Sequence, residues 1–159
     1  MVLHMGPMDA ALKAMESAAN FYTKDLEALT DEQVLSSAGG SARKPVDFTY
    51  EVGLINRQVA ARLRGDEPPA SPEGDDWWVA PEELRSKAAI AAYISEGCQE
   101  VLAAASAMPA DEVGKMLGSP GRERPAYALV QFASMHTMYH DAQLNFIQSL
   151  GGDPTMHWG

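Results

Sequence analysis

His136 and His140 stand four residues apart within the stretch Phe132–Leu150, FASMHTMYHDAQLNFIQSL. On an α-helix that spacing puts both side chains on one face, one turn above the other. The apolar pattern continues through them in steps of three or four: Leu129, Phe132 or Ala133, His136, His140, Gln143, Ile147, Leu150. Two imidazoles and an amide thus occupy places where a bundle helix normally buries Leu or Ile. Burying an unpaired polar group costs roughly 1–3 kcal/mol. A divalent metal removes that cost directly, and imidazole is its commonest protein ligand. The alternative is a pair of hydrogen-bonded core histidines, or two histidines on a partly exposed face. A third ligand separates the readings.

Glu51 is the candidate. It lies at the edge of an apolar stripe formed by Phe48, Val52, Ile55, Val59 and Leu63, on the inner margin of a second helix. Buried carboxylates are usually paired with a cation, and helix bundles build metal sites from Glu and His projecting inward from different helices. An ion pair with Arg57, Arg62 or a loop arginine is the competing explanation of Glu51. The segment HTMYH has Thr137 where an H-E-x-x-H protease carries its catalytic Glu, so that chemistry is excluded. Tyr139 and Asp141 are expected to point partly away from the histidine face, at about 100° per residue. Cys98 falls on an apolar stripe and reads as inert packing. There is no Gly-rich phosphate loop, no G-x-S-x-G elbow and no C-x-x-C pair.

The elements that must position these groups are helical. The 159 residues are one domain's worth of chain, 46% hydrophobic and 21% charged. Ala, Leu, Met, Glu and Gln abound while β-branched residues are sparse. A first helix is expected from Asp9, its buried stripe running through Leu12, Met15, Ala19, Tyr22, Leu26 and Leu29. Thr30-Asp31-Glu32 opens a short turn of helix, and Gly39-Gly40-Ser41 breaks the chain. A second helix follows Pro45 and runs to about Arg64, stopped by Gly65. Residues 66–80 form a Pro-rich acidic loop whose Trp77-Trp78 is expected to pack as a lid over the bundle end. A third helix is expected from Pro81-Glu82-Glu83 to about Ala107, its many alanines admitting a close neighbour. A Gly/Pro-rich loop, 108–124, leads to a fourth helix opened by Pro125 and ended by Gly151-Gly152, and a tail folds back from Asp153. Four long helices without a strand signal make an all-α four-helix bundle with long connections. Met1–Met8 (MVLHMGPM) reads as a disordered segment left by a cloning site, with one domain over 9–159, and His4 carries no functional weight.

The formal charge of −10 argues against a nucleic-acid partner. No apolar run approaches the ~20 residues that cross a bilayer, so no membrane partner is expected. The first residues lack the basic start and apolar core of a signal peptide, and the single cysteine fits a reducing, cytoplasmic compartment.

With the segment ending in ARLRG (Ala61–Gly65), a long third helix and the pattern H-x-x-x-H-x-x-Q-L over His136–Leu144, the chain resembles the DinB/YfiT-like superfamily of metal-associated four-helix-bundle proteins. The resemblance runs from Asp9 to Gly151. It implies a metal site of one second-helix His and two fourth-helix His. Counting back from Ala60–Gly65, that second-helix His falls on Glu51, so this sequence departs from the three-His pattern. Either Glu51 replaces the first ligand, giving a His₂Glu set, or the site has lost its metal. Replacement is favoured because Glu keeps a ligating group on the inner margin. Gln143 then reads as a hydrogen-bonding partner that orients a ligand. A His₂Glu set suits Zn²⁺, but also Ni²⁺, Mn²⁺ or Fe²⁺.

The resemblance implies a metal-dependent enzyme, a transferase or hydrolase, that binds and activates a thiol or water. Some relatives are similar to thiol-dependent S-transferases and isomerases that use low-molecular-weight thiols, so a small-molecule thiol or other small substrate is the expected partner. It also implies a homodimer. The rival reading is a non-catalytic dimeric bundle whose His and Glu form a hydrogen-bonded polar core, acting as a binding or stress-related protein.

Overall fold

A computed structural model describes residues 5–74 and 76–158. Its main elements are five α-helices: α1 (Pro7–Ala28), α2 (Asp31–Leu35), α3 (Pro45–Arg64), α4 (Lys87–Ser106) and α5 (Ala126–Leu150). Four are long, and α2 is a single capped turn. Thr30 caps α2 reciprocally with Gln33: the Gln33 N–H donates to Thr30 Oγ1 at 3.1 Å and the Thr30 N–H to Gln33 Oε1 at 2.8 Å. Pro45 sits in the first turn of α3, where its missing N–H would have no partner anyway. Gly65 ends α3 in the left-handed region at φ 78°, and the Asp66 N–H reaches back to the Ala61 carbonyl at 2.9 Å. The all-α expectation holds.

α1 packs chiefly on α5 and α3 chiefly on α4, while α1–α4 and α3–α5 contacts close the ring. α1 and α3, consecutive long helices, therefore stand diagonally across the bundle. They still meet in the core, where Tyr22 Oη and Thr49 Oγ1 share a 2.7 Å hydrogen bond. Around that bond the core is filled by Met15, Leu26, Phe48, Val52, Ile90, Ile94, Val101, Val130 and Leu144. α3 and α4 approach closely at Gly53 and Gly97. A Cβ on Gly97 would lie 2.9 Å from the Gly53 carbonyl oxygen. Glycine, rather than the alanines of α4, makes this contact possible.

Several boundaries differ from expectation. Residues 1–4 of the terminus expected to be disordered lie outside the described residues. Pro7 and Met8, from the same segment, already belong to α1, and Met8 is buried. The third long helix starts at Lys87 instead of Pro81. Glu82–Leu84 make only a 3₁₀ turn, and Ser86, in extended conformation, caps α4 by accepting from the Ala89 N–H at 3.1 Å. A small antiparallel hairpin, β1 (Met116–Leu117) with β2 (Arg124–Pro125), was not expected. Gly118 permits it: φ is 135°, and a Cβ there would sit 2.9 Å from the Arg122 oxygen.

The inner face of α5 is rotated from the sequence stripe. Val130, Ala133, Thr137, Asp141 and Leu144 are the most deeply buried, and Leu150 is exposed. His136, His140 and Gln143 lie along one edge of that face. The 66–80 loop is laid back along α3: Gln58 Nε2 donates to the Pro69 carbonyl at 2.9 Å and to Ser71 Oγ at 3.1 Å, and Asp47 Oδ1 accepts from the Ala80 N–H at 2.9 Å. This brings Trp77 and Trp78 beside Arg43, the arginine that precedes α3. No helix among the described residues is long and apolar enough to cross a membrane.

Candidate metal centre

Glu51 occupies the second turn of α3, one turn after Phe48, and faces the edge of α5 that carries the histidines. One donor atom from each of Glu51, His136 and His140 lies within 4.8 Å of the other two. Glu51 Oε1 is 3.3 Å from His136 Nε2 and 3.7 Å from His140 Nε2. The second oxygen, Oε2, accepts from Arg43 NH1 at 2.7 Å. The ion pair with a loop arginine and the Glu/His/His cluster therefore share one carboxylate. The carboxylate turns one oxygen to a loop arginine and the other to the imidazoles.

Aromatic packing fixes the ring planes. Phe48 stacks on His140 with centroids 5.3 Å apart, and Phe132 stacks on His136 at 5.8 Å. The two imidazoles meet edge to face at 4.8 Å. His140 is almost wholly buried, and its Nδ1 is 2.8 Å from Gln143 Oε1. An amide oxygen only accepts, so Nδ1 carries the proton and His140 Nε2 presents its lone pair to Glu51. That is the tautomer and orientation a metal ligand needs.

The donor set fits a divalent cation. In the neutral imidazole, a lone pair on His140 Nε2 faces an anionic oxygen at 3.7 Å, too long for a hydrogen bond and electrostatically unfavourable. Burial alone would raise the Glu51 pKa. The contact with His136, and the hydrogen bond and charge of Arg43, outweigh it and hold the carboxyl well below its usual range. The group is thus anionic at neutral pH, as ligation requires. His136 Nδ1 is buried without a hydrogen-bond partner among the described residues.

The donors open into a cavity of about 420 Å³ lined on its outer side by Arg43, Trp77, Tyr139 and Phe146. All four residues expected at the site (Glu51, His136, His140 and Gln143) line it. Sequence reasoning missed two further groups. Arg43 was present only as an unnamed loop arginine, and Tyr139, expected to point partly away, borders the cavity with its ring 4.9 Å from that of His140. Trp77 also departs from expectation. It is 73% exposed under the Arg43 guanidinium, at the cavity and not packed over the bundle end. Asp141 does turn away, into the core against Asp25. Cys98 is a buried free thiol whose pKa burial pushes up to about 12, in keeping with inert packing.

A family profile described as the DinB superfamily matches residues 52–144, a span that holds both histidines and Gln143 and begins just after Glu51. Among solved structures, a conserved protein from Enterococcus faecalis superposes with a TM-score of 0.69 at 11% identity, over 89% of this chain and 94% of that one. At that identity the likeness speaks for the fold alone. No curated protein matches the chain. With more than half its length matched by the family profile, the chain belongs to the DinB superfamily.

Proposed function

We propose that this protein is a divalent-metal-dependent enzyme, a thiol-dependent S-transferase or hydrolase, in which Glu51, His136 and His140 hold the metal and Gln143 orients His140. The observation that carries the reading is the convergence of three donor atoms within 4.8 Å at the floor of a cavity. Three protein ligands leave coordination positions free, and Zn²⁺, Ni²⁺, Mn²⁺ and Fe²⁺ all accept such a set. When bound, the ion lowers the pKa of a thiol or water and holds it beside an electrophile.

The chain's own residues do the rest. Phe48 and Phe132 keep the imidazoles in plane, Gln143 holds the proton on His140 Nδ1, and Arg43 keeps Glu51 oriented with one oxygen toward the histidines. Trp77, Tyr139 and Phe146 supply an apolar rim for the organic part of a small substrate. We further propose that the chain forms one domain, taking in Pro7 and Met8 together with residues 9–159, in a reducing, cytoplasmic compartment and as a homodimer.

The test is consumption of a small thiol and an electrophile by metal-loaded protein. Activity should require metal and should vanish in His136→Ala. Turnover by metal-stripped protein or by the variant equal to that of metal-loaded wild type would refute the enzyme reading. The non-catalytic polar core keeps one observation in its favour: Arg43 and His136 already give Glu51 partners. Under that reading Glu51→Gln would leave metal content and stability nearly unchanged, whereas a metal site should lose affinity sharply.

A further inference from the structure

The charges that line the cavity balance without a metal and do not balance with one. Glu51 contributes −1 and Arg43 +1, and among the described residues the other titratable side chains lining the space are His136, His140 and Tyr139. Histidines that ligate a metal are neutral. A divalent ion would therefore leave a net charge of about +2 in a half-buried cavity, where fields are weakly screened. The guanidinium itself is under-used. Of its five N–H donors, the partners found among the described residues are Glu51 Oε2 at 2.7 Å and the Trp78 carbonyl at 3.3 Å, while Nε is buried with none. Its carbon lies 4.7 Å from the centre of the Trp77 ring, so the group is held between an aromatic face and the cavity.

Beside this cation the rim is apolar: Trp77, Tyr139 and Phe146 are each more than 60% exposed. An exposed aromatic rim next to an incompletely satisfied guanidinium is a binding surface for a molecule with one flat apolar end and one planar anionic end.

From this we infer that Arg43 and Trp77 form a carboxylate-recognition subsite, so that the metal-loaded protein takes a small organic acid with an aromatic or apolar body in preference to its neutral isostere. The inference rests on the metal reading above, since the excess positive charge exists only with the ion bound. Metal loading converts a charge-neutral cavity into an anion receptor, within a chain whose overall charge of −10 would otherwise disfavour anions.

The experiment is calorimetric titration with phenylacetate and with phenylacetamide, its neutral isostere. Both are added to Zn²⁺-loaded and metal-stripped protein whose metal content is measured in parallel. Loaded wild type should prefer the acid by about tenfold or more, the scale of one added charge-assisted contact. Stripped protein should show less than about a threefold preference, below half a decade. Arg43→Gln, loaded, should lose most of the preference, and Trp77→Ala should weaken both probes alike. The Trp77 side chain is largely exposed, so that variant tests the subsite without touching the core. Equal affinity of loaded wild type for acid and amide would overturn the inference. So would an unchanged preference in folded, loaded Arg43→Gln, which would place the acid on the metal alone. Wild type that takes up no Zn²⁺ fails the metal reading itself, and the subsite falls with it. Loaded protein that does not distinguish the probes fails the subsite alone.

Discussion

Gln143 never contacts the metal in the proposed site, yet its removal should weaken metal binding by a calculable amount. Gln143→Leu keeps size and helix preference close to the original, so α5 itself should be undisturbed. What is lost is the 2.8 Å hydrogen bond that holds the proton on His140 Nδ1. His140 is 3% exposed, and an Nδ1–H left there without an acceptor costs about 1–3 kcal/mol. The imidazole escapes that cost by moving its proton to Nε2, which can then close the present 3.7 Å gap to Glu51 Oε1 and donate to it. The metal-free site is thereby satisfied, and an incoming ion must displace that proton. Orienting partners of this kind typically change metal affinity about 10–100-fold, equivalent to about 1.4–2.7 kcal/mol. Competition between the protein and a chromophoric chelator for Zn²⁺ measures the loss, with circular dichroism confirming equal helix content. Gln143→Glu, which replaces the amide by a stronger acceptor, should hold or raise affinity. A Gln143→Leu affinity within twofold of wild type, or the same loss in both variants, would refute the role assigned to Gln143.

Two further predictions concern the scaffold. Gly97→Ala should destabilise the protein by about 1–2 kcal/mol despite alanine's better helix propensity, because its Cβ would meet the Gly53 carbonyl oxygen at 2.9 Å, and a chemical denaturation curve reads the change. Asp141 supplies a pH dependence: burial first, then the neighbouring Asp25, pushes its pKa up to about 7, against about 3.9 in an unfolded chain. Between those values the folded state holds the extra proton, so this group's stabilising contribution is complete below about pH 4 and is lost as pH rises through about 7. Asp141→Asn should therefore gain stability relative to wild type on going from pH 5 to pH 8, by up to a few kcal/mol. A pH-independent difference between the two melting curves would contradict the assignment.

The helices were legible because α1, α3 and α5 carry an apolar period, and α3 and α5 a strong punctuation mark as well: Pro45 and Pro125 at their starts, Gly65 and Gly151 at their ends. The start of α4 was misplaced because Pro81-Glu82-Glu83 has first-turn chemistry too. The local choice went to Ser86, whose hydroxyl satisfies a backbone N–H that Pro81 cannot. At the site, His136, His140 and Gln143 could be read from spacing alone, since one helix places all three. Glu51 came from its position on a second stripe.

Arg43 could not be read, because no periodicity applies to a loop. Its place is set by where the chain enters α3 and by a 66–80 loop that returns along it through Gln58 and Asp47. Tyr139 was missed for a different reason. The sequence stripe centred the buried face on the histidines, whereas the face is centred on Ala133, Thr137 and Asp141. That rotation leaves the histidine edge, and Tyr139 beyond it, beside the cavity.

The central claim is that Glu51, His136 and His140 bind a divalent ion. Elemental analysis of protein purified without a metal-affinity column, for wild type beside His140→Ala, tests it most directly. The expected result is close to one divalent metal per chain in wild type and almost none in a folded His140→Ala variant. A metal-free wild type that also fails to take up Zn²⁺, Ni²⁺, Mn²⁺ or Fe²⁺ would contradict the claim and leave the hydrogen-bonded polar core as the better account.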